Sequence, residues 1–421
     1  MISSENETKG VPVLIVGGGL SGLSCALRLH EAGRPVRLIE ASDDVGGRVR
    51  TDRAEGFLLD RGFQVYLSAY PEAGHLLDLE RLRLKKFEPG ALVFDGRKLH
   101  RVMDVFRRPG QLVGSAFAPI GTLIDKLRVA ILRFRALGSS VGDITARPDE
   151  RTDSFLRRFG FSDTMIDVFF RSFYGGIFLE RDLRTSSRMF EFTFKMFSEG
   201  AATLPEGGMG EIPRQLARRL PPESIRLQSP VAGVTPTSLR LASGEIVEGS
   251  HVVLATQASV AGRLVPEFES GAPSWRSVTT VYFAADQSPL NEAIIALNGT
   301  GEGLVNNVSV LSDVSASYAP QGKSLISVSV LGVDRNPELP DLVTRELASW
   351  FGDQVDDWCH LRTDLIKHAL PEQLPVEGPA DEKGYLRLNK IWICGDHATS
   401  ASIEGAIVSG RKTAEAILSE P

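Results

Sequence analysis

Val11 to Glu40 reads VPVLIVGGGLSGLSCALRLHEAGRPVRLIE, and this stretch decides the fold. Val11 and the run Val13 to Val16 are near-continuously apolar, as a strand buried on both faces requires. Gly17, Gly19 and Gly22 follow in a G-x-G-x-x-G spacing. Leu20, Leu23, Ala26 and Leu27 then recur at helical spacing, and Gly33 is placed to stop that helix through a left-handed cap. Val36 to Ile39 predicts a second strand, which runs into Glu40.

This order of strand, glycines, helix, strand and acid carries a specific chemistry. Gly17 allows a tight turn, Gly19 lets backbone approach a pyrophosphate, and Gly22 lets helix pack on strand. Leu20 and Ser21 open the helix, whose unpaired N–H groups and partial positive charge face the phosphates. Glu40, followed by Ala41, stands where an acid hydrogen-bonds a ribose diol, and its charge disfavours a 2′-phosphate there.

The whole chain bounds the rest. Its 421 residues allow two or three domains' worth of core. A content of 42% hydrophobic and 24% charged residues excludes disorder, and a net charge of -6 argues against a general nucleic-acid binder. Cys25, Cys359 and Cys394 are few, odd in number and far apart, which predicts free thiols and a reducing, cytoplasmic setting. The polar start MISSENETKG lacks the apolar core of a secretory signal, and no apolar run reaches membrane-spanning length. The seven histidines show no metal-ligand spacing, so no metal is expected.

Beyond Glu40, Gly46-Gly47 again permits close backbone approach and Arg48 adds a fixed charge suited to phosphate. Asp60 and Gly62 follow in a D-x-G spacing, with Phe63, Gln64, Tyr66 and Tyr70 behind them. At the other end, Ile391 to Leu418 reads IWICGDHATSASIEGAIVSGRKTAEAIL. A buried strand ends in Gly395-Asp396, and a short loop leads to a closing helix that begins near Ser402, Ile403 and Ala406. Its N-terminus offers unpaired N–H groups and a partial positive charge to an electron-rich group.

With these motifs the chain resembles the superfamily of monoamine oxidases, protoporphyrinogen oxidases and carotenoid desaturases. The likeness is strong at both ends and diffuse between Leu84 and Leu204. It implies FAD rather than NAD. It implies that Gly17, Gly19, Leu20, Ser21, Gly22, Glu40, Ala41, Gly47, Arg48, Gly62, Phe63, Gly395, Asp396, Ser402, Ile403 and Ala406 hold it. It adds Val231, whose main chain would pair with adenine, and Ala255 and Thr256, at the end of a returning strand. The fold class implied is α/β: a Rossmann-type FAD-binding domain from residues 11–83, 204–260 and 385–421, and an α+β substrate domain with a mixed sheet and a helical segment from 84–203 and 261–384.

Three departures shape the activity. The strand Val278 to Asp286 carries no lysine to hold a water at flavin N5, and the resemblance aligns Thr279 there. Ser402 stands where many amine oxidases have a cage tyrosine. No cysteine stands at the covalent attachment position, so FAD is expected to be non-covalent. These departures favour the desaturase-like branch: hydride removal from a small hydrophobic substrate, an isoprenoid or polyene, with oxygen or a quinone as electron acceptor. An amine or porphyrinogen oxidase is the alternative, and a non-redox flavoprotein with an isomerase or structural flavin is a further one. No catalytic side chain is nominated. His397, beside Asp396, either faces the flavin or packs locally.

Two middle segments bear on the substrate. Between Arg97 and Arg135 nine Lys/Arg face two Asp, interleaved with Leu112, Val113, Phe117, Leu123, Ile124, Leu127, Ile131 and Phe134. Such a basic amphipathic segment fits either peripheral contact with an anionic membrane or a helix pair with a solvated face. Ser154 to Phe197 holds twelve of the 31 aromatics, as core or as cavity lining, and Gly175-Gly176 predicts a break between helices.

Overall fold

The computed structural model describes residues 10–104, 106–108, 110, 120–269, 273–378 and 383–420. Two large sheets organise it. The first has six strands in the order Ile225–Arg226, Val36–Ile39, Val13–Val16, His251–Leu254, Ile391–Ile393, Leu386–Leu388. All neighbours are parallel except the last pair. Val13 to Ile15 and Val252 to Leu254 are wholly buried, as their unbroken apolar runs predicted. The chain order reverses across Val13–Val16, which has the second strand on one side and a strand more than two hundred residues later on the other. Such a switch point opens a crevice beyond the strands' carboxyl ends.

The helix Leu20–Glu31 leaves this crevice and stops as expected, with Gly33 at φ +76° donating to the His30 carbonyl. The closing helix Ile403–Leu418 packs beside it; a Cβ on Gly410 would collide with the Ser21 carbonyl. Chain start and chain end therefore form one layer. Cys25 and Cys394 lie inside it, free and fully buried, and burial pushes the Cys394 thiol up to about 11.

The second sheet has seven strands in the order Cys359–Pro371, Trp275–Ala285, Ser324–Leu331, Val305–Val310, Ile295–Asn298, Gly90–Phe94, Leu99–Met103. Only the pairing of Ile295–Asn298 with Gly90–Phe94 is parallel. One face carries Val281, Phe283, Ile326, Val328, Val308 and Val310, packed on Leu339, Val343 and Leu347 of the helix Leu339–Phe351. The other face looks towards the first sheet.

The aromatic-rich segment folds as helices Thr152–Phe159, Arg171–Phe178 and Ser187–Glu199, with one wide turn at Met165–Phe170. Phe155, Phe161, Phe170, Tyr174, Phe178 and Phe190 are buried against one another, with Tyr174 and Phe190 centroids 4.7 Å apart. Most of this cluster is thus core rather than cavity wall. Gly175 and Gly176 do not break a helix; they lie inside Arg171–Phe178. The helix crosses the second sheet there, and a Cβ on Gly176 would stand 2.9 Å from Asn306 Nδ2. Glycine serves close approach, and the helix ends instead at Leu179, which is left-handed at φ +55°.

In the basic segment the described helix is Leu123–Leu137, capped by Thr122 and Asp125; Leu112, Val113 and Phe117 lie outside the described residues. Leu123, Ile124, Leu127, Ile131 and Phe134 face outward, 70% exposed at Leu123 and 65% at Phe134. The basic surface is weaker than expected because its arginines are paired. Arg101 meets Glu292, Arg108 Glu88, Arg128 Asp125, Arg133 Asp104 and Arg135 Glu191. Among the described residues no helix is long and apolar enough to cross a membrane, and none form a cluster of metal-ligating side chains.

Candidate functional site

The glycine loop, the GGR turn and the closing strand meet at the switch point. Gly46 N–H donates to the Gly18 carbonyl at 2.7 Å, and a Cβ on Gly47 would stand 3.4 Å from Gly19 Cα. The three glycines of the loop divide into two kinds. A Cβ on Gly17 would stand 2.6 Å from the Ala255 carbonyl oxygen, and one on Gly22 would collide with the Gly17 carbonyl. A Cβ on Gly19 would meet nothing within 4 Å. Two glycines are therefore needed by the protein's own packing, and the third borders open space at the helix start. That start has no side-chain cap and no acid in its first turn, so its N–H groups remain available to a phosphate.

Glu40 points back over this loop. Its Oε2 accepts from Gly18 N–H at 2.6 Å, and its Oε1 accepts from the Ser42 N–H and hydroxyl. A carboxylate has about four acceptor sites and three are used here, so Oε2 has room for one further hydroxyl. Ala41 is exposed next to it. Ala255 N–H donates to Val16, and half-buried Thr256 follows it on the opposite lip. Val231 begins the antiparallel strand Val231–Val234, its register broken before Gly233.

Arg48 does not stand free for a phosphate. One guanidinium nitrogen donates to Asp396 Oδ1 at 2.6 Å, another to the Ala369 carbonyl at 3.0 Å, and the group lies 5.3 Å from the Trp275 ring centre. The ion pair ties the two terminal motifs together, and Asp396 is nearly fully buried. Gln64 supports it from behind, donating to the Arg48 and Arg61 carbonyls rather than facing a ligand. Gly395 N–H donates to Ser409 Oγ, which seats the loop on the closing helix. His397 lies 5.9 Å from the Phe268 ring, its Nε2 is buried without a partner among the described residues, and burial lowers its pKa.

Ser402 caps the closing helix by accepting from Gly405 N–H at 2.9 Å. Ala406 N–H is already bonded to the Ser402 carbonyl, so the groups left open in this first turn belong to Ile403 and Glu404. Glu404 turns inward and accepts from Glu72 and Ala73 N–H. Aromatic rings nearby come from other elements: Tyr66 and Tyr70 are 5.7 Å apart edge to face, and Tyr70 stacks on Phe192. Phe63 is half-buried against Phe87.

Asp60 is a hub rather than a ligand. It accepts from Thr51, from Tyr318 at 2.8 Å and from Met209 N–H at 3.0 Å, and its carbonyl accepts from Tyr282. Full burial pushes its pKa up to about 6 against these bonds. Gly62 then passes directly over the second sheet: a Cβ there would stand 2.5 Å from Ile366 Cδ1 and 3.8 Å from Thr280 Oγ1.

This contact corrects the strand register. Thr279 points to the apolar face, where its hydroxyl donates to the Gly332 carbonyl and accepts from Asp334 N–H. Thr280 faces Gly62, and its buried hydroxyl has no partner. Strand alternation could have found it, because Val281 and Phe283 mark the opposite face. Asn306 and Asn307, which flank the same face, were not singled out in the sequence either; nothing local distinguishes them.

The arrangement defines a dinucleotide-binding protein with a second sheet set against the switch point. Residues 20–418 match the family model described as flavin containing amine oxidoreductase, and the chain belongs to that family. It is 22% identical to the 15-cis-phytoene desaturase of Capsicum annuum, over 99% of this chain and 79% of that one. It is 30% identical to protoporphyrinogen oxidase 2 of Arabidopsis thaliana, over 40% of this chain and 32% of that one. Cyclohexylamine oxidase from Brevibacterium oxydans IH-35A superposes with a TM-score of 0.71 at 17% identity, covering 97% of this chain and 98% of that one. At that identity the likeness is one of fold. Membership makes the chain a flavin-dependent oxidoreductase.

Proposed function

We propose that the chain binds FAD non-covalently and removes hydride from a mainly apolar substrate, in a desaturase-like reaction. The observation that carries the FAD assignment is the convergence of Gly19, Glu40, the Arg48–Asp396 pair and the closing-helix start on one crevice. In this reading Gly19, Leu20 and Ser21 cradle the pyrophosphate and Glu40 takes the ribose. Ala41, Val231, Ala255 and Thr256 line the adenosine half. Asp396 orients the ribityl side while Arg48 holds its carboxylate in place, and Gly47, Gly62 and Phe63 border the ring. Ser402 and Ile403 set the helix start that offers N–H groups to the reducible edge. FAD supplies a two-electron hydride acceptor there, and oxygen or a quinone takes the electrons afterwards.

The chain's own residues position and exclude. Thr280 places a hydroxyl on the face towards Gly62, and the strand Trp275–Ala285 carries no lysine. Rate then depends on orientation of the substrate rather than on side-chain acid–base work. The proposed domains are 11–83, 204–260 and 385–421 for FAD, and 84–203 and 261–384 for substrate. The outward stripe Leu123, Ile124, Leu127, Ile131 and Phe134 supports peripheral contact with a lipid surface, from which an apolar substrate would enter.

Denaturing the purified protein and identifying the released flavin tests the cofactor; FAD in the supernatant supports the reading, and a flavin that stays on the chain sinks the non-covalent part. Anaerobic bleaching with isoprenoids, porphyrinogens and amines tests the activity. Bleaching by amines alone would replace the desaturase-like reading.

A further inference from the structure

The edge strand of the second sheet ends against both terminal motifs. Strand Cys359–Pro371 runs out beside Arg48, which donates to the Ala369 carbonyl. Just beyond it, half-buried Gln373 reaches the loop that precedes the closing helix. Its Nε2 donates to the Thr399 carbonyl at 2.8 Å, and its Oε1 accepts from Ala401 N–H at 2.8 Å. One side-chain amide thus takes the place of a strand neighbour. It satisfies two main-chain groups, neither of which has a main-chain partner among the described residues.

The loop transmits this hold to the helix. After the short turn Asp396–Ala398, Thr399 at φ −140° and ψ −116° continues neither a helix nor a strand. Its hydroxyl donates to the Gly405 carbonyl at 2.7 Å, and a Cβ on Gly405 would collide with the Ser400 carbonyl. Loop and first helical turn are in direct contact, so a displacement of Thr399 to Ala401 moves the helix start with it.

Gln373 is itself fixed from other sides. Glu372 N–H donates to the Ser274 carbonyl at 2.8 Å, and the Gln373 carbonyl accepts from Ser186 N–H at 2.9 Å. Ser186 caps the helix Ser187–Glu199, and Asp149 accepts from both Ser186 Oγ and Val376 N–H. The amide is a fixed point carried by the second sheet and the aromatic helices, and the loop is pinned to it.

We propose that Gln373 is a positioning residue for the bound flavin: through Thr399 and Ala401 it holds the closing-helix start so that the open N–H groups of Ile403 and Glu404 stay aimed at the reducible edge. Both ends of its amide are engaged with main chain, so it acts through the loop and not by touching the flavin. Reduced flavin is the more electron-rich form, and aligned helix-start N–H groups favour it over the oxidised form. The proposal rests on the FAD reading above and adds a residue that neither terminal motif contains.

The test uses the full flavin-loaded chain, with flavin content measured first. Parent and variants are equilibrated anaerobically with a reference dye, and the reduced-to-oxidised ratio of bound flavin is read at a fixed solution potential. Gln373→Met keeps the side chain's length and removes both hydrogen bonds. It should lower the ratio about tenfold, a shift of about 30 mV for two electrons. Its affinity for oxidised flavin should stay within about twofold of the parent, and the Ala401 amide should exchange with solvent at least about tenfold faster. Gln373→Asn keeps the amide but is one methylene too short to span both groups; it should act in the same direction and serves if the first variant does not fold. A ratio within about twofold of the parent, in a variant that holds flavin, overturns the proposal. So does a loss of oxidised-flavin affinity as large as the change in ratio, which would make Gln373 a general support of the fold. A parent chain that purifies and refolds without flavin overturns the cofactor reading, and this one with it.

Discussion

The two sheets are of similar size and built on opposite rules. The six-stranded sheet is parallel over most of its width and buried on both faces, so its strands read as unbroken apolar runs. The seven-stranded sheet is antiparallel over most of its width, and its faces differ: valines and phenylalanines on one, and on the other hydroxyls and amides interleaved with Tyr282, Leu325 and Leu297. The first presents backbone to its ligand, through a glycine loop and two helix starts. The second presents side chains. In the proposed reading, the sheet that carries the terminal motifs binds the cofactor and the other sheet holds the substrate.

The sharpest way to break this comparison lies in the glycine loop. Gly22→Ala should destabilise the protein by at least about 4 kcal/mol or prevent soluble expression, because its Cβ collides with the Gly17 carbonyl. Gly19→Val should abolish flavin retention while leaving the melting temperature equal to that of the flavin-stripped parent, since nothing but ligand space lies there. If both variants lose stability alike, the loop is packing and not a cradle. Next comes Asp60, whose folded pKa of about 6 lies above its ordinary 3.8. The folded state holds its proton longer, so this group makes stability fall by up to about 3 kcal/mol as pH rises from 4 to 6. Asp60→Asn should remove that share of the slope; denaturant melts across the window would show an unchanged slope if the assignment is wrong.

Smaller effects sharpen the picture. Arg48→Ala leaves Asp396 buried without its partner and should cost about 2 kcal/mol, with weakened flavin retention read from the absorbance of the purified protein. Retention equal to the parent would remove Arg48 and Asp396 from the site. Leu127→Glu, at a residue 62% exposed, should change stability by no more than about 0.5 kcal/mol yet reduce co-sedimentation with vesicles. Because the arginines of this segment are internally paired, neutral phosphatidylcholine vesicles should bind nearly as well as anionic ones. A strict need for anionic lipid would return the weight to charge.

Much of the first sheet and its loop was legible because local chemistry there is self-sufficient. A G-x-G-x-x-G between an apolar run and a helical one, followed by Glu40, specifies strand, turn, helix and acid within one continuous stretch. The closing motif around Gly395-Asp396 and Ser402-Ile403 was legible for the same reason. Legibility failed wherever a residue's role depended on a distant partner. Arg48 read as a phosphate ligand because Asp396 is 348 residues away in sequence. Gly175-Gly176 read as a helix break because the asparagines it clears are on a strand more than a hundred residues later. Thr279 and Thr280 are adjacent hydroxyls of the same kind, and only Gly62 crossing one face tells them apart.

By itself, then, the sequence determined the dinucleotide fold, the acid Glu40 at the end of the second strand and the two terminal motifs, because main-chain turns and helix starts are written locally. Tertiary structure alone decided which glycine faces open space, which threonine lies under Gly62, that the basic helix shows its apolar side outward, and that Thr280, Ser329 and Asn307 form one row. Strand pairing makes that row: three residues from three strands become neighbours only when register sets them side by side, and no spacing along the chain encodes it.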